Sequence, residues 1–186
     1  MAKAGIFMGI VCLGAVGWAG VYSGGGVAER SRVLRIARAE VGVRELTGKN
    51  DGKRIAEYLA YTGIKVPAPY CASYISWCFG KAGYNKPRTP WSPAMFPACR
   101  IVKEPKPGDV LGIYFSELKR IAHVGLVAEI RGEWLVTYEG NSNNNGSRNG
   151  DGVYQRLRHK RTVNKYADWI SGQSQKKSLW QDIKME

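Results

Sequence analysis

A cysteine that could act as a nucleophile stands at residue 71, where the chain changes from an extended to a helical pattern. Pro67 and Pro69 disfavour helix before it, and neither proline nor glycine follows until Gly80. A thiol in the first turn of a helix lies beside unpaired backbone N–H groups, which favour the nucleophilic thiolate. Cys71 is therefore a candidate for attack on a carbonyl carbon, with a small buried core residue as the alternative.

Two predicted strands could deliver a general base to this thiol. Residues 123–130 and 134–141 alternate between apolar and polar side chains, which is the period of a strand. A three-residue loop at 131–133 would place the apolar residues of this hairpin on one face, whereas a two-residue loop would scatter them. The facing apolar pairs in this register are Ile130 with Trp134, Ala128 with Val136, and Leu126 with Tyr138.

The same register gathers polar side chains on the opposite face of the hairpin. Gly125 lies opposite Glu139, where it leaves space for a longer side chain, and His123 lies opposite Asn141. His123 would act as general base toward Cys71 and then protonate the leaving amine. Glu139 or Asn141 would hold the far ring nitrogen and orient the imidazole. Away from a thiol, His123 would be an ordinary half-buried strand histidine.

An oxyanion formed in this chemistry needs hydrogen-bond donors. The backbone N–H of Cys71, at the predicted helix N-terminus, would supply one donor, and Tyr70 is a second, weaker candidate. The other histidine, His159, lies in the basic stretch 158–161. We interpret that stretch, with Arg158 in it, as a solvated basic face.

The elements that must position these residues follow one another in a simple order. Apolar residues at helical spacing predict helices at 29–43, from a cap at Asn50 or Asp51 to Gly63, and at 71–83. Strands are predicted at 110–115 and 152–157 in addition to the two strands of the hairpin. Residues 141–149 are predicted to form a mobile loop. Helices followed by an antiparallel sheet of about four strands predict an α+β domain.

The predicted domain covers residues 29–160, and both chain ends differ from it. Residues 4–22 form an uncharged run of apolar and small side chains, typical of a secretory signal or a single membrane anchor. Residues 23–26 are expected to be a flexible glycine-rich linker, so that 1–28 is signal or anchor plus linker. Residues 161–186 are expected to be a basic C-terminal extension.

The composition limits the partners and cofactors of the chain. Lysine and arginine number 28 against 15 acidic residues, a formal charge of +13. Such an excess favours an anionic partner: nucleic acid, a membrane surface or an anionic wall polymer. No nucleic-acid-binding motif accompanies the charge, so we do not expect nucleic acid. With two histidines, nothing in the sequence predicts a metal or another cofactor.

The four cysteines, at 12, 71, 78 and 99, form no CxxC pair. Cys71 and Cys78 are seven residues apart on one predicted helix, about 10 Å along its axis. That separation is too large for a disulfide between them. Cys78 and Cys99 are expected either to form a disulfide or to be free thiols.

The ordered set of motifs resembles the CHAP-type amidases and peptidases, within the NlpC-like and papain-like cysteine hydrolases of bacterial cell walls. The resemblance covers roughly residues 40–153. It implies Cys71 as nucleophile, His123 as base, and Glu139 with Asn141 as the orienting pair. The matching segments are Pro69-Tyr70-Cys71-Ala72-Ser73-Tyr74-Ile75-Ser76-Trp77-Cys78, Ala82-Gly83-Tyr84, Pro107-Gly108-Asp109-Val110, His123-Val124-Gly125 and Glu139-Gly140-Asn141-Ser142. The sequence departs from the family in the long polar loop after Asn141 and in its basic C-terminal part.

The resemblance also implies a papain-like fold and peptidoglycan as the substrate. The bond cut would join the lactyl group of the glycan to the peptide or lie within the peptide. Such an enzyme would work in the cell envelope, secreted or anchored by residues 4–22, on its own wall or, as a toxin or phage lysis factor, on that of another cell. The alternative is a non-catalytic, basic, membrane-tethered module that binds cell wall or nucleic acid.

Overall fold

Three helices precede a six-stranded antiparallel sheet in the structure, a computed structural model that describes residues 25–172 except 145, 147 and 148. This order confirms the predicted α+β class. The helices are α1 (Gly25–Ala39), α2 (Lys53–Tyr61) and α3 (Cys71–Lys81). The strands are β1 (Ile101–Val102), β2 (Val110–Phe115), β3 (Arg120–Arg131), β4 (Trp134–Ser142), β5 (Gly152–His159) and β6 (Lys165–Ala167).

The sheet has two strands more than the predicted four. Its order is β1-β6-β2-β3-β4-β5, so that β2 to β5 form a meander and β6 pairs with both β1 and β2. The additional strands have two and three residues. Segments of this length are too short to show the alternation of apolar and polar residues from which a strand is predicted.

The domain continues past residue 160, where the sequence interpretation placed the start of an extension. β6 lies inside the sheet, and Trp169 and Ile170 after it are buried in the core. The indole N–H of Trp169 donates to the carbonyl of Met95 at 2.9 Å. The many basic residues of this stretch suggested an extension, although it also contains buried apolar residues. The predicted domain boundary at residue 160 is therefore wrong for residues 161–170.

The β3–β4 hairpin has a two-residue turn and not the predicted loop of three residues. Arg131 pairs with Trp134, and Gly132 with Glu133 forms the turn. Gly132 has φ 56°, the left-handed conformation that the first turn position of a type II′ hairpin requires. The expected uniform apolar face is therefore wrong near the turn, where Ile130 and Trp134 are exposed.

A β-bulge restores the predicted register at the other end of the hairpin. The pairing shifts between Val127 and Glu129, and beyond the shift Leu126 pairs with Tyr138 as expected. One additional residue on the bulged strand compensates for the one residue missing from the turn. The predicted register is therefore correct at Leu126 and Tyr138, next to the residues of the polar cluster.

The first two helices begin elsewhere than predicted. α1 starts at Gly25, so residues 25–28 are helical and do not belong to a linker. Glycine has a low helix propensity, but propensity is only a weak predictor where the rest of the protein favours a helix. α2 begins after Gly52 with no side-chain cap. The Asp51 carboxylate instead accepts hydrogen bonds from the backbone N–H and hydroxyl of Thr47. No helix within the described range is long and apolar enough to cross a membrane, and the run 4–22 lies outside that range.

The α3 helix lies at the centre of the domain, as its all-apolar and small-residue composition requires. It packs against α1, α2, β3 and β4, and its first nine residues are buried. The Tyr74 hydroxyl donates to the α1 carbonyl of Ala37 at 2.9 Å. An ion-pair network also fixes α1 to the sheet: the guanidinium of Arg30 contacts the carboxylates of Asp109 and Asp168 at 2.7 and 2.5 Å.

Candidate active site

The Cys71 thiol lies at the N-terminus of α3, as the sequence predicts. The residue is 5% exposed, and its Sγ lies 3.4 Å from the hydroxyl oxygen of Ser92. The imidazole of His123 and the backbone of Val124 also lie close enough to the sulfur to lower the pKa of Cys71. As the first residue of the helix, Cys71 presents a backbone N–H that has no partner within the helix.

The imidazole of His123 lies between the thiol and the Glu139 carboxylate. Its Nε2 is 2.8 Å from Oε2 of Glu139. This contact leaves Nδ1 as the ring nitrogen available to the neighbouring Cys71 thiol, whose interaction with His123 raises the pKa of the imidazole. The structure therefore places Cys71, His123 and Glu139 in one continuous line, and the carboxylate occupies the position that was predicted for Glu139 or Asn141.

The Glu139 side chain is completely buried and fully surrounded by donors. Arg158 binds it with both arms of its guanidinium: Nε donates to Oε1 at 2.8 Å and Nη2 to Oε2 at 2.6 Å. The Thr137 hydroxyl donates to Oε1 at 2.7 Å, and the Ser142 hydroxyl lies 3.4 Å from Oε2. Although burial opposes ionisation, hydrogen bonds and charges from Arg158 and His123 hold the pKa of Glu139 well below its usual range.

Two glycines let the backbone approach these groups. A Cβ atom on Gly125 would lie 2.8 Å from Cγ of Glu139, which confirms that Gly125 provides the space predicted for a longer side chain. A Cβ atom on Gly140 would lie 2.7 Å from the Cβ of Tyr74 on α3. Glycine is therefore required both for the side chain of Glu139 and for the contact between its strand and the helix that carries Cys71.

The charges along this line alternate in sign. Burial raises the pKa of Cys71, but hydrogen bonds and charge from His123, with Ser92 and Val124, bring it below the ordinary value. Burial lowers the pKa of His123, but its contacts with Cys71 and Glu139 outweigh this and raise it to about 9. These interactions favour a thiolate beside an imidazolium over the neutral pair.

Asn141 and Tyr70 lie at the site but outside this line. Asn141 adopts φ 52° at an irregularity in the β4–β5 pairing, a location where such features redirect a side chain. Its Oδ1 is buried without a hydrogen-bond partner. The Tyr70 hydroxyl is buried near Glu45 and the backbone of Asn141 without forming a regular hydrogen bond. The roles predicted for these two residues remain predictions.

Two contributors to the site were missed in the sequence. Arg158 is not part of a solvated basic face, because its side chain is 26% exposed and bound to Glu139. The alternation of side chains along β5 could have indicated the buried position of Arg158. Arg158 lies on the same face of β5 as Arg156, and Arg156 pairs with Thr137 of β4. Ser92 lies in a proline-rich loop and carried no recognisable signal.

Two clefts adjoin at His123. They have volumes of 190 and 180 Å³ and share Phe115, His123 and Asn141. Arg156 and Arg158 line the first cleft, and Arg120 lines the second. A substrate could therefore approach the imidazole from solvent although the thiol itself is almost buried.

Cys78 and Cys99 are both free thiols, which is one of the two alternatives that the sequence left open. Cys78 is buried on α3 and Cys99 is exposed. Burial raises the pKa of Cys78, with the nearby charge of Glu40 adding to the shift. Among the residues that the structure describes, no cluster of three or more metal-binding side chains occurs.

Comparison with known proteins gives little beyond these observations. The sequence matches no known protein family, and it matches no curated protein. The fold is similar to the crystal structure of Ly7917, with a TM-score of 0.45, 14% identity, and 74% of this chain and 60% of that chain covered. For the crystal structure of Ly7917 with the hydrolyzing product of MDP, the values are 0.42, 16%, 74% and 61%. The chain thus spans about 60% of these neighbours.

The alternating charges predict a Cys71 thiolate at neutral pH. Because the pKa of Cys71 is lowered and that of His123 is raised to about 9, the thiolate should appear at lower pH than in an ordinary thiol, and the ion pair should be lost as His123 loses its proton near pH 9. The ultraviolet absorbance of the thiolate, followed against pH in the full chain, measures this. His123→Gln should shift the appearance of the thiolate to higher pH.

Cys78→Ala is the matched control, because Cys78 lies on the same helix and burial keeps its thiol protonated. It should leave the absorbance at neutral pH unchanged, whereas Cys71→Ala should abolish it. An absorbance at neutral pH that survives in Cys71→Ala would contradict the assignment.

Removing Arg158 should leave the buried Glu139 carboxylate without its main countercharge. Arg158→Met is expected to lower the free energy of unfolding by about 3 kcal/mol, the usual cost of an uncompensated buried charge. Urea denaturation measures the loss. The control Arg161→Met removes the same charge from an exposed position and should change stability by less than about 0.5 kcal/mol. Equal effects of the two substitutions would show that the Arg158 pair is not important for stability.

Proposed function

We propose that the chain is a cysteine-dependent amidase or endopeptidase of the CHAP type, with a papain-like fold, and that it cuts peptidoglycan. The observation that carries this proposal is the continuous contact from Cys71 through His123 to the buried Glu139. A nucleophile, a base and a group that orients the base are the parts that acyl transfer requires. All three residues also belong to the motif set that resembles the family.

The geometry supports a two-step reaction. The Cys71 thiolate attacks the amide carbonyl carbon, and the oxyanion is stabilised by the Cys71 backbone N–H, with Tyr70 as the weaker second candidate. The His123 imidazolium gives its proton to the leaving nitrogen as the C–N bond breaks, which leaves a thioester on Cys71. Water then attacks the thioester while the neutral His123 accepts its proton, and the C–S bond breaks to release the acid product and restore the Cys71 thiolate beside the His123 imidazolium. Glu139 acts as a positioning residue throughout, because it contacts only the far side of the imidazole.

The proposed substrate rests on charge as well as on the resemblance. The formal charge of +13 favours association with an anionic polymer, and bacterial wall polymers are anionic. Location in the cell envelope, with residues 4–22 as signal or membrane anchor, is part of the same proposal. The reaction as written uses only this chain's side chains and water, so no cofactor is proposed.

Digestion of purified peptidoglycan by the full chain tests the proposal, with fragments identified by mass spectrometry. Cys71→Ala should lower the rate about 10³-fold or more, as expected for loss of a nucleophile, and the fragment masses should identify the bond. Cys78→Ala, a cysteine change on the same helix, should retain the parent rate, and a chelator should have no effect.

Two results would contradict the proposal. If Cys71→Ala digests wall at the parent rate, Cys71 is not the nucleophile. If the parent chain digests no wall from several bacteria, the catalytic proposal fails, and binding to wall polymers becomes the activity to measure.

A further inference from the structure

The larger of the two clefts beside His123 is lined by an arginine that has no ionic partner within the described part of the chain. This cleft, of 190 Å³, is lined by Arg156, Arg158, Asn141 and other residues, none of them acidic. The charge of Arg158 is matched by Glu139. Arg156 lines the same cleft and forms no ion pair with a carboxylate among the described residues, so its charge has no counterion in that part of the chain.

The hydrogen bonds of Arg156 leave part of its guanidinium unused. Nη1 donates to Oδ1 of Asn144 at 2.6 Å, which fixes one end of the group. Nε is buried and has no acceptor among the described residues. Buried donors are almost always paired in folded proteins, so the unpaired Nε adds to the charge of Arg156 in favouring an anionic acceptor at the cleft that this residue lines.

A second buried polar atom on the same cleft is also unpaired. Oδ1 of Asn141 has no donor within hydrogen-bond distance, and Asn141 lines the cleft together with Arg156 and His123. A fixed cationic donor and a neutral acceptor are complementary to a carboxylate that is adjacent to a peptide N–H. Arginine suits this role because the planar guanidinium matches the geometry of a carboxylate.

We infer that this cleft binds a free carboxylate of the peptide substrate through Arg156, while Asn141 accepts a hydrogen bond from a neighbouring peptide N–H. The inference rests on the proposed function and specifies its substrate: a peptidoglycan stem peptide with an unmodified carboxylate close to the bond that is cut. The position of the cleft beside His123 places the carboxylate near the amide that receives the proton. Arg156 is then a specificity-determining residue.

Muropeptides that differ only in which one of their carboxylates is amidated test the inference. Amidation removes the charge with little change in size. For the parent chain, amidation at one position should lower kcat/KM about 10- to 100-fold, the range expected for a charge-assisted hydrogen bond, and that position identifies the carboxylate. Arg156→Gln should cleave the acid and the amide at similar rates. Arg161→Gln, which removes an exposed charge, should keep the parent's preference.

A binding measurement separates failure of this inference from failure of the proposed function. The Cys71→Ala chain should bind the acid muropeptide about 10- to 100-fold more tightly than its amide, and adding Arg156→Gln should remove the difference. In the Cys71→Ala chain, the NMR resonance of the Arg156 Nε–H should also shift when the acid muropeptide is added and should not shift when the amide is added. This measurement needs no Arg156 variant. Tight, acid-selective binding without cleavage would support the inference while refuting the hydrolase. Equal affinity for acid and amide in the Cys71→Ala chain would overturn the inference, whatever the activity of the parent.

Discussion

The buried carboxylate of Glu139 is the constraint on which the candidate site depends. Moving a carboxylate out of water costs several kcal/mol, which is offset only when its charge and lone pairs are matched. Arg158 supplies the charge and two hydrogen bonds, Thr137 supplies a third, and the imidazole of His123 completes the set. Because these groups come from β3, β4 and β5, the carboxylate is satisfied only when all three strands are in register.

This constraint extends to the thiol through charges of alternating sign. The Arg158 guanidinium favours the ionised Glu139, the carboxylate favours the protonated His123, and the imidazolium favours the thiolate of Cys71. Each group is partly or wholly removed from solvent, so each interaction is stronger than it would be at the surface. β5, which carries Arg158, therefore contributes to the charges that favour the thiolate of Cys71 on α3.

The sequence predicts those parts of the site that follow from local pattern. The start of α3 at Cys71 was predictable because prolines precede the residue and helical spacing follows, and β2 was predicted with the bounds it has. The register at Glu139 was predicted for an incomplete reason, since a two-residue turn and a bulge compensate for each other. The alternation of side chains constrains the register of two strands, but it cannot show that a shorter turn and a β-bulge offset each other.

What the sequence could not show depends on contacts between distant segments. β1 and β6 are too short to alternate, and they exist because the sheet provides partners for them. Arg158 stands in a basic stretch whose composition is typical of an exposed surface, and only pairing with β4 brings it to the buried Glu139. Arg158 therefore forms a buried ion pair and is not part of a solvated basic face, and only the tertiary structure determines this.

Capture of the acyl-enzyme tests the central claim, that Cys71 attacks the substrate with help from His123, most directly. The full chain would be mixed with a muropeptide substrate, quenched rapidly with acid and analysed by intact-protein and peptide mass spectrometry, with and without hydroxylamine. The account predicts the acyl part of the substrate on Cys71 as a thioester, and its diversion to a hydroxamate by hydroxylamine. Continued hydrolysis with neither adduct nor hydroxamate would contradict it.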